Sequence, residues 1–168
     1  MKKFILTLFG ALMCASAATA QIEITKVDAF NGSEAAFMDM AVTAAESSVV
    51  DGGVADGAVI ILNGAWHATG KPANGKSSIE VALSKARKKN LKEAVIYSVA
   101  QPTTAAGKAL AEAAVKEVVF LIPAERVVAN GIYKQEDYTH AETDSEETSA
   151  VPARNVADPS LIKALNLK

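Results

Sequence analysis

Residues 58–69 read AVIILNGAWHAT, and this segment predicts a β-hairpin. Its first half, residues 58–62, is a continuous apolar run, which is typical of a strand that is covered on both faces. Asn63-Gly64 is the strongest short signal for a hairpin turn, and residues 65–69 then return as the antiparallel partner. An antiparallel pair of strands is therefore expected.

Further strands and helices alternate on both sides of this hairpin. Apolar runs at residues 94–99 and 118–122 predict two more buried strands, and residues 22–27 predict a short first strand. Apolar residues at helical spacing, together with helix-starting residues, predict helices at about 31–48, 77–90 and 104–114. This alternation indicates an α/β fold with a parallel-rich sheet and helices on both faces.

The first twenty residues are expected to be a signal peptide. Lys2-Lys3 precedes an apolar stretch at residues 4–13, and residues 18–20 have the small-x-small pattern of a cleavage site. The apolar stretch is shorter than the roughly 20 residues that cross a bilayer. We therefore expect an exported protein, periplasmic or secreted, that begins at Gln21 and has no membrane span after cleavage.

Composition limits the function classes. The chain has a net charge of −2, and its densest basic run, residues 85–89, is interpreted as the solvated end of a helix. No nucleic-acid partner is therefore expected. The single cysteine, Cys14, lies in the signal segment, so the mature chain offers no thiolate to a metal.

The order helix, hairpin, helix, strand, helix, strand resembles the cytidine deaminase-like superfamily. Residues 37–41 and 57–61 resemble its first helix and first core strand, and residues 131–133 are similar to a segment of the guanine and transfer-RNA adenosine deaminase branch. The resemblance implies a three-layer α/β/α fold with a mixed, largely parallel sheet. It predicts a deaminase-like domain at 21–138. The polar, acidic composition that follows predicts a partly flexible tail at 139–168, with a short terminal helix near the end.

The resemblance also places the family's zinc motifs on this chain. In the family a histidine or cysteine and two cysteines hold zinc, and a glutamate moves protons. These positions fall on Ser78, Thr103 and Ala106 for the metal and on Glu80 for the proton shuttle. A neutral hydroxyl is a poor zinc ligand and alanine offers none. No zinc, no other cofactor and no zinc-dependent deamination are therefore expected, as in a pseudoenzyme.

Glu80 supports two interpretations. Residues 77–80, Ser-Ser-Ile-Glu, have the spacing of a capping box, and this is favoured over a catalytic role. The alternative is a nucleoside deaminase or related hydrolase with an unconventional site around Glu80. A metal site of Glu80 with His67 and His140, the two histidines of the chain, is a further hypothesis, which their spacing does not favour.

Two predicted helix starts carry hydroxyl side chains, Ser78 at one and Thr103 with Thr104 at the other. In the fold that the resemblance implies, these starts converge on one pocket, and free helix amides favour anions. In the family an asparagine after the second strand commonly contacts the substrate, and Asn74, in the loop before the first of these starts, is the candidate substitute, although its spacing does not require that role. We therefore expect a non-catalytic relative that binds a small polar or anionic ligand or an envelope protein. The resemblance also suggests a homodimer. A third hypothesis is a filled pocket, with bulky side chains collapsed over Ser78 and Thr103.

Overall fold

The computed structural model describes residues 22–27, 29–86, 90–139 and 151–167. The predicted signal peptide, His140 and most of the acidic run lie outside these ranges. Within them, no helix is long and apolar enough to cross a membrane.

The chain forms one six-stranded sheet with helices on both faces. The strands are β1 (Glu23–Val27), β2 (Ala58–Leu62), β3 (Ala65–Gly70), β4 (Ala94–Ala100), β5 (Glu117–Ile122) and β6 (Pro152–Val156). The helices are α1 (Glu34–Val50), α2 (Ser78–Lys85), α3 (Thr104–Glu112), α4 (Ala124–Ala129) and α5 (Pro159–Ala164), with a 3-10 turn at Gln135–Tyr138.

The sheet has the strand order β1-β6-β5-β4-β2-β3. The pairs β1–β6, β6–β5 and β5–β4 are parallel, whereas β2 is antiparallel to both β3 and β4. One core packs α1, α4 and α5 against the sheet through residues such as Met38, Val127 and Ile162. A second core packs α2 and α3 against the opposite face through Ile79 and Leu110. The predicted three-layer α/β/α fold with a mixed, largely parallel sheet is confirmed.

The C-terminal part of the fold differs from the sequence prediction of a tail. Residues 152–156 form β6, a strand between β1 and β5, and the predicted terminal helix is present as α5. Strand β6 was not predicted because Arg154 and Asn155 interrupt the run of apolar residues that would indicate a buried strand. Asn155 is buried, and its amide donates to the carbonyl oxygens of Phe120 and Leu121 at 3.2 Å each. Its polarity is thus satisfied by the neighbouring strand.

Two glycines allow helices to approach the hairpin closely. A Cβ on Gly57 would overlap backbone atoms of Ala41 and Ala45 in α1. A Cβ on Gly70 would overlap backbone atoms of Ser78 and Ala82 in α2. The close contact at Gly70 allows the start of α2 to pack against the end of β3, where Ser78 is buried.

Candidate functional site

The start of α2 is a capping box. Ser77 is the N-cap, and its hydroxyl accepts the Glu80 amide at 3.4 Å. The Glu80 carboxylate accepts the Ser77 amide at 2.9 Å and the Ser77 hydroxyl at 2.8 Å. The capping interpretation of Glu80 is therefore confirmed, and the carboxylate is engaged in holding the helix start.

The start of α3 is also capped by its own side chain. Thr103 is the N-cap, and its hydroxyl accepts the Ala106 amide at 3.2 Å. The Thr104 hydroxyl lies 3.5 Å from the Thr139 carbonyl oxygen, to which it donates. Thr103 and Ala106 are buried, whereas Thr104 is half-buried. Both predicted hydroxyl-bearing helix starts are present.

A buried carboxylate that the sequence did not single out lies against the first residue of α2. Asp56 is 1% exposed. Its carboxylate accepts the Ser78 amide at 3.4 Å, the Ala100 amide at 3.1 Å and the Tyr133 hydroxyl at 2.6 Å. One signal in the sequence could have revealed it. Asp56 lies two residues before β2, a strand that is buried on both faces, and a charged side chain in such surroundings needs hydrogen-bond partners inside the protein.

Residues 131–139, here called the strap, cover this region. The Tyr133 hydroxyl donates to Asp56, and the Tyr138 hydroxyl donates to the Gln101 carbonyl oxygen at 3.1 Å. Burial and the nearby Asp56 charge raise the pKa of Tyr133 and the pKa of Tyr138 above the ordinary tyrosine value. Both hydroxyls therefore stay protonated and act as donors.

Comparisons with known proteins show which solved structures this fold resembles. No family model and no curated protein sequence matches the chain. A guanine deaminase from Nitrosomonas europaea superimposes with a TM-score of 0.65 at 15% identity, covering 89% of this chain and 88% of that chain. A guanine deaminase from Bacillus subtilis gives a TM-score of 0.59 at 23% identity, covering 82% and 92%.

A transfer-RNA deaminase that edits the wobble position gives a TM-score of 0.58 at 18% identity, covering 74% of this chain and 99% of that chain. The chain therefore has the fold of these deaminases. At these identities the likeness concerns the fold alone. The chemistry of this deaminase-fold protein depends on its own side chains.

The sequence resemblance assigned the zinc ligands to Ser78, Thr103 and Ala106, and the side chains present there do not fit a zinc ion. Thr103 already accepts the Ala106 amide, Ala106 has only a methyl group, and Ser78 offers a neutral hydroxyl. The nearby Asp56 carboxylate is shared among three hydrogen-bond donors. In the described part of the chain, no three His, Cys, Asp or Glu side chains are grouped as a metal site would require.

The remaining candidates lie apart from a common site or outside the described residues. Asn74 is exposed and, with Gly75, has a positive φ in a tight turn closed by Ala73 and Lys76. Its residue type is explained by that turn. His67 lies at an irregularity of β3, where its Nε2 is buried without a partner among the described residues. His140 lies outside them, so the three-residue metal hypothesis has no structural support.

Proposed function

We propose that this deaminase-fold chain is an exported, non-catalytic binding protein. The observation that supports the proposal is the buried Asp56 carboxylate, which contacts the first residue of α2 where the family resemblance places the first metal ligand. A carboxylate of the protein itself is thus hydrogen-bonded at this position by three donors.

The chemistry of deamination supports the same proposal. Hydrolytic deamination in this family needs a metal to lower the pKa of a water molecule and a glutamate to move its proton. The residues Ser78, Thr103 and Ala106 supply no soft ligand, and Glu80 is engaged with Ser77. Without a metal, the water would keep a pKa near its bulk value, far above 7, and the metal-dependent route to the nucleophile would be lost.

The covered helix starts favour a protein of the envelope over a small anion as the partner. The hydroxyls of Tyr133 and Tyr138 donate to Asp56 and to the Gln101 carbonyl oxygen beside these helix starts, and the Asp56 charge would repel an anion there. The outer surface instead carries exposed apolar side chains, among them Trp66 at 59% and Val50 at 85% exposure. These exposed apolar side chains are where we propose that a protein partner binds.

Zinc retention and ammonia release test the absence of catalysis. The mature protein, purified without a histidine tag, is incubated with zinc, desalted and submitted to elemental analysis, and ammonia release is followed with guanine, cytidine and adenosine. We expect far less than stoichiometric zinc and no ammonia. A guanine deaminase treated identically is the positive control. Stoichiometric zinc, or ammonia release that Glu80→Gln abolishes, would instead support the alternative enzyme.

Cell fractionation tests export. The full-length gene product is expressed in a bacterium, and the N-terminus of the recovered protein is sequenced from each fraction. We expect mature protein that begins at Gln21 in the periplasm or the medium. An uncleaved chain confined to the cytoplasm would contradict this part of the proposal.

A further inference from the structure

The Asp56 carboxylate is held by donors from three separate parts of the fold. The Ser78 amide belongs to the first turn of α2, the Ala100 amide ends β4, and the Tyr133 hydroxyl belongs to the strap. All three donors are neutral. A buried carboxylate normally needs a cation or several directed donors, and here the directed donors supply the stabilisation.

Local geometry explains why these two amides are free to bind a carboxylate. Ser78 is the first residue of α2, so its amide has no partner within the helix. Val99 donates to the Gly57 carbonyl oxygen at 2.9 Å, which extends the β2–β4 ladder by one step. At the next step the Asp56 side chain takes the Ala100 amide. The carboxylate therefore accepts one amide at the end of the β2–β4 ladder and one amide at the start of α2.

The Ser78 side chain is a second, independent sign of a polar binding site. Ser78 is 0% exposed, and its hydroxyl has no hydrogen-bond partner among the described residues. A buried hydroxyl without a partner is costly, so a polar group in this position calls for an explanation. Ser78 carries this hydroxyl on the same residue whose amide binds Asp56.

We propose that the Ser78 amide, the Ala100 amide and the Tyr133 hydroxyl form a carboxylate-binding site that the chain occupies with its own Asp56. In this fold the carboxylate joins α2, β4 and the strap at the region where the family's metal would join α2 and α3. The assignment goes beyond the proposed function, because it holds whether or not the protein binds a partner elsewhere.

An internal carboxylate has a large advantage over any dissolved one. Asp56 is attached to the site by the chain, so its effective concentration far exceeds that of a free carboxylate in solution. An external carboxylate is therefore expected to bind only after Asp56 has been truncated. This requirement makes the site testable by chemical rescue.

The test is the thermal stability of Asp56→Ala with sodium formate as the probe. Truncation removes a carboxylate of the size of formate and leaves three buried donors unpaired, so we expect Tm to fall by about 10 °C or more. Formate is expected to restore several degrees of this loss (roughly 2–4 °C for each kcal/mol regained). Sodium chloride at the same ionic strength should restore none of it.

Two matched variants make the test specific. Asp56→Asn keeps the side-chain volume, so it should be destabilised without being rescued by formate. Asp56→Ala combined with Tyr133→Phe removes one donor and should be rescued less than Asp56→Ala alone. Equal effects of formate on wild type and Asp56→Ala, or rescue by chloride, would overturn the proposal.

A variant that does not fold in buffer still gives a result. In that case the circular dichroism of Asp56→Ala is compared in formate and in chloride. Recovery of the folded spectrum in formate alone supports the carboxylate site, and no recovery in formate overturns it. Neither outcome depends on zinc retention or ammonia release, so failure of this proposal is distinguishable from failure of the proposed function.

Discussion

Two regions of this protein bury charge in different ways. Near the start of α2, the buried Asp56 carboxylate is bound by neutral donors from α2, β4 and the strap. Near the start of β5, Arg154 of β6 lies between two carboxylates. Its guanidinium donates to Glu34 at 3.0 Å and to Glu117 at 2.9 Å.

The difference separates a structural cluster from a candidate site. Arg154 is balanced by opposite charges, and its side chain is only 12% exposed. The cluster ties α1 and β5 to β6, which accounts for a strand with a central arginine. Among the described residues, Asp56 receives hydrogen bonds from neutral donors alone. Such a carboxylate is therefore expected to respond to truncation and rescue in a way that the ion-pair cluster does not.

Removing Arg154 should have the largest effect among the tests of this comparison. Arg154→Met leaves Glu34 and Glu117 partly buried and unpaired, so we expect a loss of about 3 kcal/mol in the free energy of unfolding. The triple variant Arg154→Met, Glu34→Gln, Glu117→Gln removes the unpaired charges and should recover much of this loss. Urea denaturation measures both. A triple variant no more stable than Arg154→Met would show that packing, and not charge, holds β6.

Acid denaturation provides an independent check on the same cluster. The hydrogen bond from Arg154 lowers the pKa of Glu34 below its ordinary value of 4.5. The folded form therefore gains stability from this pair above pH 4.5, and loses it as the pH falls through the lowered pKa. Arg154→Met should flatten this acid limb. Formate should leave Arg154→Met no more stable than chloride does, unlike Asp56→Ala.

Alkaline pH should have the next largest effect, because it acts on tyrosines of both regions. Burial and the Glu34 charge raise the pKa of Tyr97 to about 12, and burial beside Asp56 raises the pKa of Tyr133. Unfolded tyrosines ionise near pH 10. Stability is therefore fully present below about pH 10 and is lost as the pH rises toward the folded values, by about 2 kcal/mol for Tyr97 alone.

Phenylalanine variants assign this alkaline loss to the two regions. Tyr133→Phe removes one ionising group beside Asp56, and Tyr97→Phe removes one beside the Arg154 cluster. Each should flatten part of the alkaline limb, measured by urea denaturation at successive pH values together with tyrosinate absorbance. An unchanged limb in Tyr133→Phe would mean that this hydroxyl is not held neutral by Asp56.

The parts of the fold that the sequence predicts are those with a strong local pattern. The hairpin at 58–69 combines an apolar run with Asn63-Gly64, and the structure pairs β2 with β3 there. Strand β6 was not predicted, because Arg154 and Asn155 are satisfied by partners from distant elements. Their polarity is visible in the sequence, whereas their partners are known only from the fold.

The candidate site divides in the same way. Glu80 and Thr103 cap helices through residues three positions away, so spacing alone predicts their roles. Asp56 instead binds donors that are 22, 44 and 77 residues away along the chain. No spacing rule connects such positions, and they come together only in the folded sheet, where β4 pairs antiparallel with β2. Asn74 was considered as a substitute for the family's substrate-contacting asparagine, and the structure explains its residue type by a turn.

Substitutions of Glu80 should change the free energy of unfolding least, and they test whether Glu80 belongs to the Asp56 site. Glu80→Ala removes one side of the capping box and should cost about 1 kcal/mol, whereas Glu80→Gln keeps an oxygen for the Ser77 amide and should cost less. Urea denaturation compares the two. Neither variant should alter the formate rescue of Asp56→Ala, since the Glu80 carboxylate, among the described residues, bonds within its own helix start. A rescue that is lost with Glu80→Gln would place both carboxylates in one site and reopen the catalytic interpretation of Glu80.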